Sequence, residues 1–188
     1  MVGLGNPGRR YAETRHNVGA RVVERVAERA RIALDEERFD GRAGRGLVAG
    51  EETLLLLPDT FMNRSGAAVA AALRALAPLD PARELLVVLD DADLPLGRLR
   101  LRARGSSGGH RGLADIIEVL GDEGFARLRF GIGRPAAARD TADFVLDRFE
   151  PAEREMVDEA VERGAAAVAC FVAEGVAQAM NRFNAPVG

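Results

Sequence analysis

The chain has 188 residues, 47% of them hydrophobic and 29% charged. That composition describes a globular domain able to bury about two-thirds of its unfolded surface, and it excludes a disordered chain. A net charge of −3 argues against a general nucleic-acid sponge, although it says nothing of how charge is distributed. The single cysteine, Cys170, excludes an intramolecular disulfide. With no charged-then-apolar leader and no apolar run of membrane-spanning length, the expected compartment is the cytoplasm.

Residues 2–4 predict a short strand running into the glycine-rich turn 3–8. Val18, Val22, Val23, Val26 and Ala27 then repeat at helical spacing, so Asn17 is expected to be the helix N-cap and His16 to lie just before the helix begins. Residues 48–49 and 53–57 read as a hairpin around Gly50, stopped by Pro58 and followed by an alanine-rich helix over 66–76. Five unbroken apolar residues, 85–89, predict a buried strand ending at Asp90. A strand over 99–103 and a helix over 113–120 follow, then a strand over 128–132. A long helix is expected from Pro151 to about Gly175, its start favoured by Glu150, Glu153 and Glu155. Cys170 falls in an apolar stretch of that helix and is expected to be an inert core thiol. The alternation predicts an α/β fold: a single three-layer domain over 1–188 with a twisted, mostly parallel mixed sheet, including one hairpin, flanked by helices. In such sheets function collects at the carboxyl ends of strands. The Asn6 turn, the Asp90 turn and the 105–112 loop all lie there.

Three local patterns invite other chemistries and fail on context. Gly3-Leu4-Gly5-Asn6-Pro7-Gly8 matches a dinucleotide fingerprint, but Pro7 lacks an N–H and helical periodicity is delayed past Asn17. Gly105-Ser106-Ser107-Gly108-Gly109 fits a nucleophile elbow, yet its only downstream histidine is His110, three residues away on the same turn. Asp91-Ala92-Asp93 after a buried strand resembles a magnesium-holding pair, but Leu94-Pro95 follows it. Two histidines and a cysteine at distant positions offer no zinc spacing, and no metal or cofactor is expected.

Two features carry more. All 26 basic positions are arginine, and residues 98–104 alternate strictly, with Leu99, Leu101 and Ala103 on one face and Arg98, Arg100, Arg102 and Arg104 on the other. Such a row is answered either by carboxylates from neighbouring strands or by phosphates, and Arg111 in the next loop would extend the track. His16 is the residue able to move a proton near neutral pH. The helix after it should keep it neutral, while a carboxylate such as Asp90 could fix its tautomer, which describes a general base.

Val2-Gly3-Leu4-Gly5-Asn6-Pro7-Gly8, Tyr11 and Thr14-Arg15-His16-Asn17 together resemble the opening signature of the bacterial-type peptidyl-tRNA hydrolases. Thr60-Phe61-Met62-Asn63, Ser65-Gly66, Asp90-Asp91, Asp93-Leu94-Pro95, Gly108-Gly109-His110, Gly112-Leu113, Leu128-Arg129 and Gly131-Ile132-Gly133 follow in that family's order and spacing. The resemblance implies a usually monomeric α/β enzyme that cleaves the ester between a peptide and the 3′ end of tRNA. It implies His16 as the base that activates water and Asp90 as the carboxylate that keeps it basic. Asn6 would recognise the blocked amino end, while Tyr11, Phe61 and Asn63 would contact the 3′ portion, Asn63 also donating to the oxyanion. Arg111 stands where the family commonly has asparagine, so only a phosphate contact is expected of it. The first strand is also short against relatives that carry several residues before its valine. The alternative, from another class, is a non-catalytic RNA-binding relative that keeps the groove; an inactive descendant has no chemical reason to retain His16, Asp90, Asn6 and Asn63 together.

Overall fold

A computed structural model of the chain describes residues 1–134 and 140–185. In chain order the elements are β1 (Val2–Gly3), α1 (Val18–Ala30), β2 (Glu36–Arg38), β3 (Gly41–Val48), β4 (Glu51–Pro58), α2 (Ser65–Ala75), α3 (Pro81–Glu84), β5 (Leu86–Asp91), β6 (Leu99–Arg102), α4 (Arg111–Leu120), β7 (Ala126–Gly131), α5 (Thr141–Phe144) and α6 (Arg154–Phe183). The strands form one sheet in the order β2-β3-β4-β1-β5-β7-β6. Its centre, β4-β1-β5-β7, is parallel, while β3 and β6 run antiparallel to their neighbours.

Both faces of the sheet are covered, as a parallel centre requires. On one side Val18, Val22, Val23 and Val26 of α1 and Val157, Val161 and Val168 of α6 pack on Leu86, Val88, Leu128 and Phe130. On the other, Ala68, Val69 and Ala72 of α2 and Leu113 and Ile116 of α4 pack on Leu4, Leu56, Val87 and Leu89. At Gly19 a side chain would meet the Val88 carbonyl oxygen at 2.3 Å. The absent Cβ lets α1 sit tightly against β5, and this close seat holds the residues before α1 over the strand ends.

The predicted hairpin is present, turning through Ala49 (φ 51°) and Gly50 (φ 90°), a pair of positive φ values that matches the twist of the strands. It is longer than its periodicity indicates, because the glycine- and arginine-rich start of β3 gives no strand signal, and the three-residue edge strand β2 is invisible for the same reason. The last helix extends past the predicted end: it breaks at Gly175 (φ 81°, ψ 172°) and resumes to Phe183. Cys170 is buried on it, its Sγ 3.8 Å from Arg182 and 3.9 Å from Glu174. No helix is long and apolar enough to cross a membrane among the described residues.

Candidate active site

Asn6 after β1, Asp90 near the end of β5 and His110 at the start of α4 converge on one groove of about 1140 Å³, whose walls also include Tyr11, His16, Phe61, Asn63 and Arg111. The seven residues singled out from the sequence all line it. Thr141, Ala142, Val145 and Leu146, which sequence reasoning does not identify, also line it.

His16 sits in a 3-10 turn, Arg15–Asn17, that leads into α1. The turn is anchored to the segment after α5: the Arg15 N–H donates to the Asp147 carbonyl and the His16 N–H to the Val145 carbonyl, each at 2.8 Å. The Arg15 guanidinium is buried over the rings of Phe144 and Phe149 and donates to both Glu153 carboxylate oxygens and the Ile132 carbonyl. Cation–π contact, ion pair and hydrogen bonds thus lock the residue preceding the imidazole.

Asp90 is 3% exposed, and its Oδ1 accepts from His16 Nδ1 at 2.7 Å and from His110 Nε2 at 3.0 Å. Burial alone would raise the Asp90 pKa. The charges of His110 and His16 and their hydrogen bonds outweigh it and hold the group at about 2. A carboxylate only accepts, so each imidazole must carry its proton on the nitrogen facing Asp90. His110 is tied at its other end as well, because Nδ1 caps α4 by accepting the Leu113 N–H at 3.1 Å. His16 is not: its Nε2 has no protein partner among the described residues, so its lone pair is left for the groove.

The two rings lie 5.0 Å apart, centroid to centroid. One ligand-type atom each from His16, Asp90 and His110 falls within 4.8 Å of the others. The fold therefore brings together histidines whose separation in the chain gives no metal spacing, which corrects that part of the sequence argument. The hydrogen bonding nonetheless does not fit a cation. A metal on His110 Nε2 would move that ring's proton to Nδ1, where it would face the Leu113 N–H.

Asn17 holds the expected N-cap position of α1, but not the expected capping contact. Its side chain makes no capping bond to α1. Instead its amide clamps the Asn6 backbone, Oδ1 accepting from the Asn6 N–H and Nδ2 donating to the Asn6 carbonyl, both at 2.9 Å. Gly5 makes room, since a Cβ there would stand 3.0 Å from that amide. This close approach accounts for a glycine of the apparent dinucleotide fingerprint. The Asn6 side chain is oriented in turn: Oδ1 accepts the Met62 N–H at 2.9 Å, which leaves Nδ2 as a donor with no protein partner among the described residues. Phe61, 55% exposed, and Asn63 project from the loop and 3-10 turn that present that N–H. Tyr11 lies under the Arg10 guanidinium, 4.4 Å from its ring.

The aspartates after β5 are engaged by arginines: Asp91 pairs with Arg129, and Asp93 pairs with Arg134 at 3.1 Å. The arginine face of β6 has a character of its own. Across the antiparallel ladder Arg100 opposes Arg129 and Arg102 opposes Arg127, so its neighbours are cations rather than carboxylates. Arg127 is buried over Phe125 and donates to the Gly105 and Glu123 carbonyls, and Arg129 takes Asp91. Arg100, Arg102, Arg104 and Arg111 have no acidic partner among the described residues, and Arg102, Arg104 and Arg111 line the groove.

The family model described as peptidyl-tRNA hydrolase matches residues 1–187. The chain is 51% identical over 186 residues to the peptidyl-tRNA hydrolase of Roseiflexus sp. (strain RS-1), a match covering 99% of this chain and 85% of that one. It is 54% identical over 185 residues to the peptidyl-tRNA hydrolase of Synechococcus sp. (strain JA-3-3Ab), covering 98% and 81%. The crystal structure of peptidyl-tRNA hydrolase from Acinetobacter baumannii superposes with a TM-score of 0.89 at 40% identity, over 98% of this chain and 93% of that one.

Proposed function

The chain belongs to the peptidyl-tRNA hydrolase family and hydrolyses peptidyl-tRNA, and on that premise we propose that His16 is the general base, oriented by Asp90, in an attack by water on the ester. The observation that carries the proposal is the asymmetry of the His16 ring: Nδ1 is held by the Asp90 carboxylate and Nε2 is open to the groove. Water in that groove gives a proton to Nε2 while its oxygen bonds to the ester carbonyl carbon. The Asn63 amide donates to the oxyanion that develops. Collapse breaks the bond to the ribose oxygen, which takes the proton back from Nε2, and free tRNA and an N-blocked peptide leave. Asp90 stays ionised throughout and stabilises the transient imidazolium. No covalent intermediate, metal or cofactor enters.

Asn6 supplies the selectivity in this reading. Its free Nδ2 donates to a carbonyl at the blocked amino end, whereas the ammonium of a free aminoacyl-tRNA, itself only a donor, would face another donor. Tyr11 and Phe61 offer ring faces to the bases of the 3′ end. Arg111, with Arg102 and Arg104, answers phosphates. The enzyme acts as a monomer in the cytoplasm, with peptidyl-tRNA as its partner. A non-catalytic RNA-binding role is not favoured.

Purified protein incubated without added metal should deacylate N-acetyl-aminoacyl-tRNA and spare its unblocked counterpart. Asn6→Ala should narrow that preference by about tenfold, the worth of a hydrogen bond or two. Equal rates on both substrates by the parent would reject the role given to Asn6.

A further inference from the structure

The sheet ends at β6, and an edge strand presents a row of unpaired N–H and C=O groups. Along an antiparallel ladder, alternate residues turn these groups inward to the neighbouring strand and outward. The Arg98 carbonyl accepts the Gly131 N–H, so the outward residue in the middle of β6 is Leu101. One side chain satisfies it completely. The Leu101 N–H donates to Asn184 Oδ1 at 2.7 Å, and Asn184 Nδ2 donates to the Leu101 carbonyl at 3.1 Å. The Asn184 carbonyl accepts from the Arg98 guanidinium as well. Asn184 reaches this edge because α6 breaks at Gly175 and resumes to Phe183.

From this arrangement we infer that Asn184 is a positioning residue for RNA, a one-residue substitute for the missing strand that holds β6 in line. The inference rests on the reading of the arginine face as the RNA track. Leu101 is flanked by Arg100 and Arg102, whose side chains stand on the opposite face from the buried Leu99 and Leu101. Those arginines oppose Arg129 and Arg127 across the ladder, and like charges directly opposite push strands apart. The ladder to β7 and the burial of Leu99 and Leu101 hold β6 from its inner side. The paired amide bonds of Asn184 add a hold from the outer edge, and Arg102 is left facing the groove. Asn184 is not among the residues lining that groove, so its effect on substrate passes through the strand.

The test compares N-acetyl-aminoacyl-tRNA with an N-acetyl-aminoacyl ester of the 3′-terminal trinucleotide alone, which lacks the acceptor stem. Asn184→Ala should raise KM for the full substrate by about tenfold, with kcat within about twofold, and leave turnover of the short ester unchanged. The salt dependence of tRNA binding should flatten by about 0.9 in log–log slope for each duplex phosphate that the arginines no longer neutralise. Asn184→Asp keeps the acceptor for the Leu101 N–H but removes the donor to its carbonyl, so an intermediate KM is expected, and this variant also serves if the alanine variant is poorly folded. Arg102→Ala should raise KM for the full substrate likewise, and the double variant should be less than additive. Equal losses on both substrates, or none on either, would overturn the role of Asn184. If Arg102→Ala leaves KM and salt slope unchanged, the arginine face is not the RNA track and the inference fails with it. If Arg102→Ala is impaired and Asn184→Ala is not, the track stands and only the positioning role is lost.

Discussion

His16→Ala is expected to lower kcat on N-acetyl-aminoacyl-tRNA by about a hundredfold to ten-thousandfold, the usual worth of a general base, while tRNA affinity changes little. The imidazole lines the groove but is only 8% exposed, so its removal takes away the proton acceptor without dismantling the surface the RNA meets. Single-turnover rates at saturating enzyme, read beside a filter-binding affinity, separate the two effects. Cleavage at the parental rate would contradict the assignment. The Arg15 anchor supports this choice of variant: with Arg15 held by Glu153, Phe144 and Phe149, the turn keeps its shape when the adjacent ring is trimmed.

Asp90→Asn should be nearly as damaging to turnover and should alter stability as well. An amide presents a neutral oxygen to two N–H donors and adds an N–H of its own, so the His16 tautomer is no longer dictated and the imidazolium loses its counter-charge. A drop in kcat of about a hundredfold or more is expected, in line with the removal of a buried carboxylate under a catalytic imidazole. The effect on stability has a definite sign. The carboxylate's pKa is depressed in the folded protein, from 3.8 to about 2, because the two imidazoles outweigh the burial that would otherwise raise it. A depressed pKa contributes stability that is fully present above the unfolded value and lost as pH falls through the folded one. The parent should therefore lose on the order of 2 kcal/mol between about pH 4 and pH 2 that Asp90→Asn does not lose. Urea unfolding of both proteins at pH 5, 3 and 2 measures the difference, and parallel decline in the two would reject the ionised carboxylate as the shared acceptor.

Much of the fold can be read from the chain because its signals are local. The unbroken apolar run of β5 and the valine periodicity of α1 each report burial within one element, and α4 and β7 emerge the same way. The pairing of His16 with Asp90 follows from the resemblance and from the rule that function gathers at strand ends. What stays hidden depends on contacts between distant segments. His110 reads as a misplaced triad histidine because the sequence cannot show that its Nε2 reaches the same carboxylate oxygen as His16. Asn17 occupies the cap position its place in the sequence indicates, but the sequence does not show that Gly5 admits its side-chain amide to the Asn6 backbone instead of the helix. The arginine alternation of β6 is visible, but whether carboxylates answer it turns on register. Only the pairing with β7 reveals that arginines stand opposite. Asn184 gives no signal at all, since its role requires a helix break at Gly175 and an open strand edge to coincide.

The mechanism depends most directly on where two protons reside. Imidazole nitrogen-15 chemical shifts of the folded protein, recorded at a pH where both rings are neutral and assigned with His16→Ala and His110→Ala, read this out. The expected spectrum has His16 protonated at Nδ1 and bare at Nε2, and His110 protonated at Nε2 and bare at Nδ1. A His16 ring carrying its proton on Nε2 would leave no base facing the ester and would contradict the mechanism.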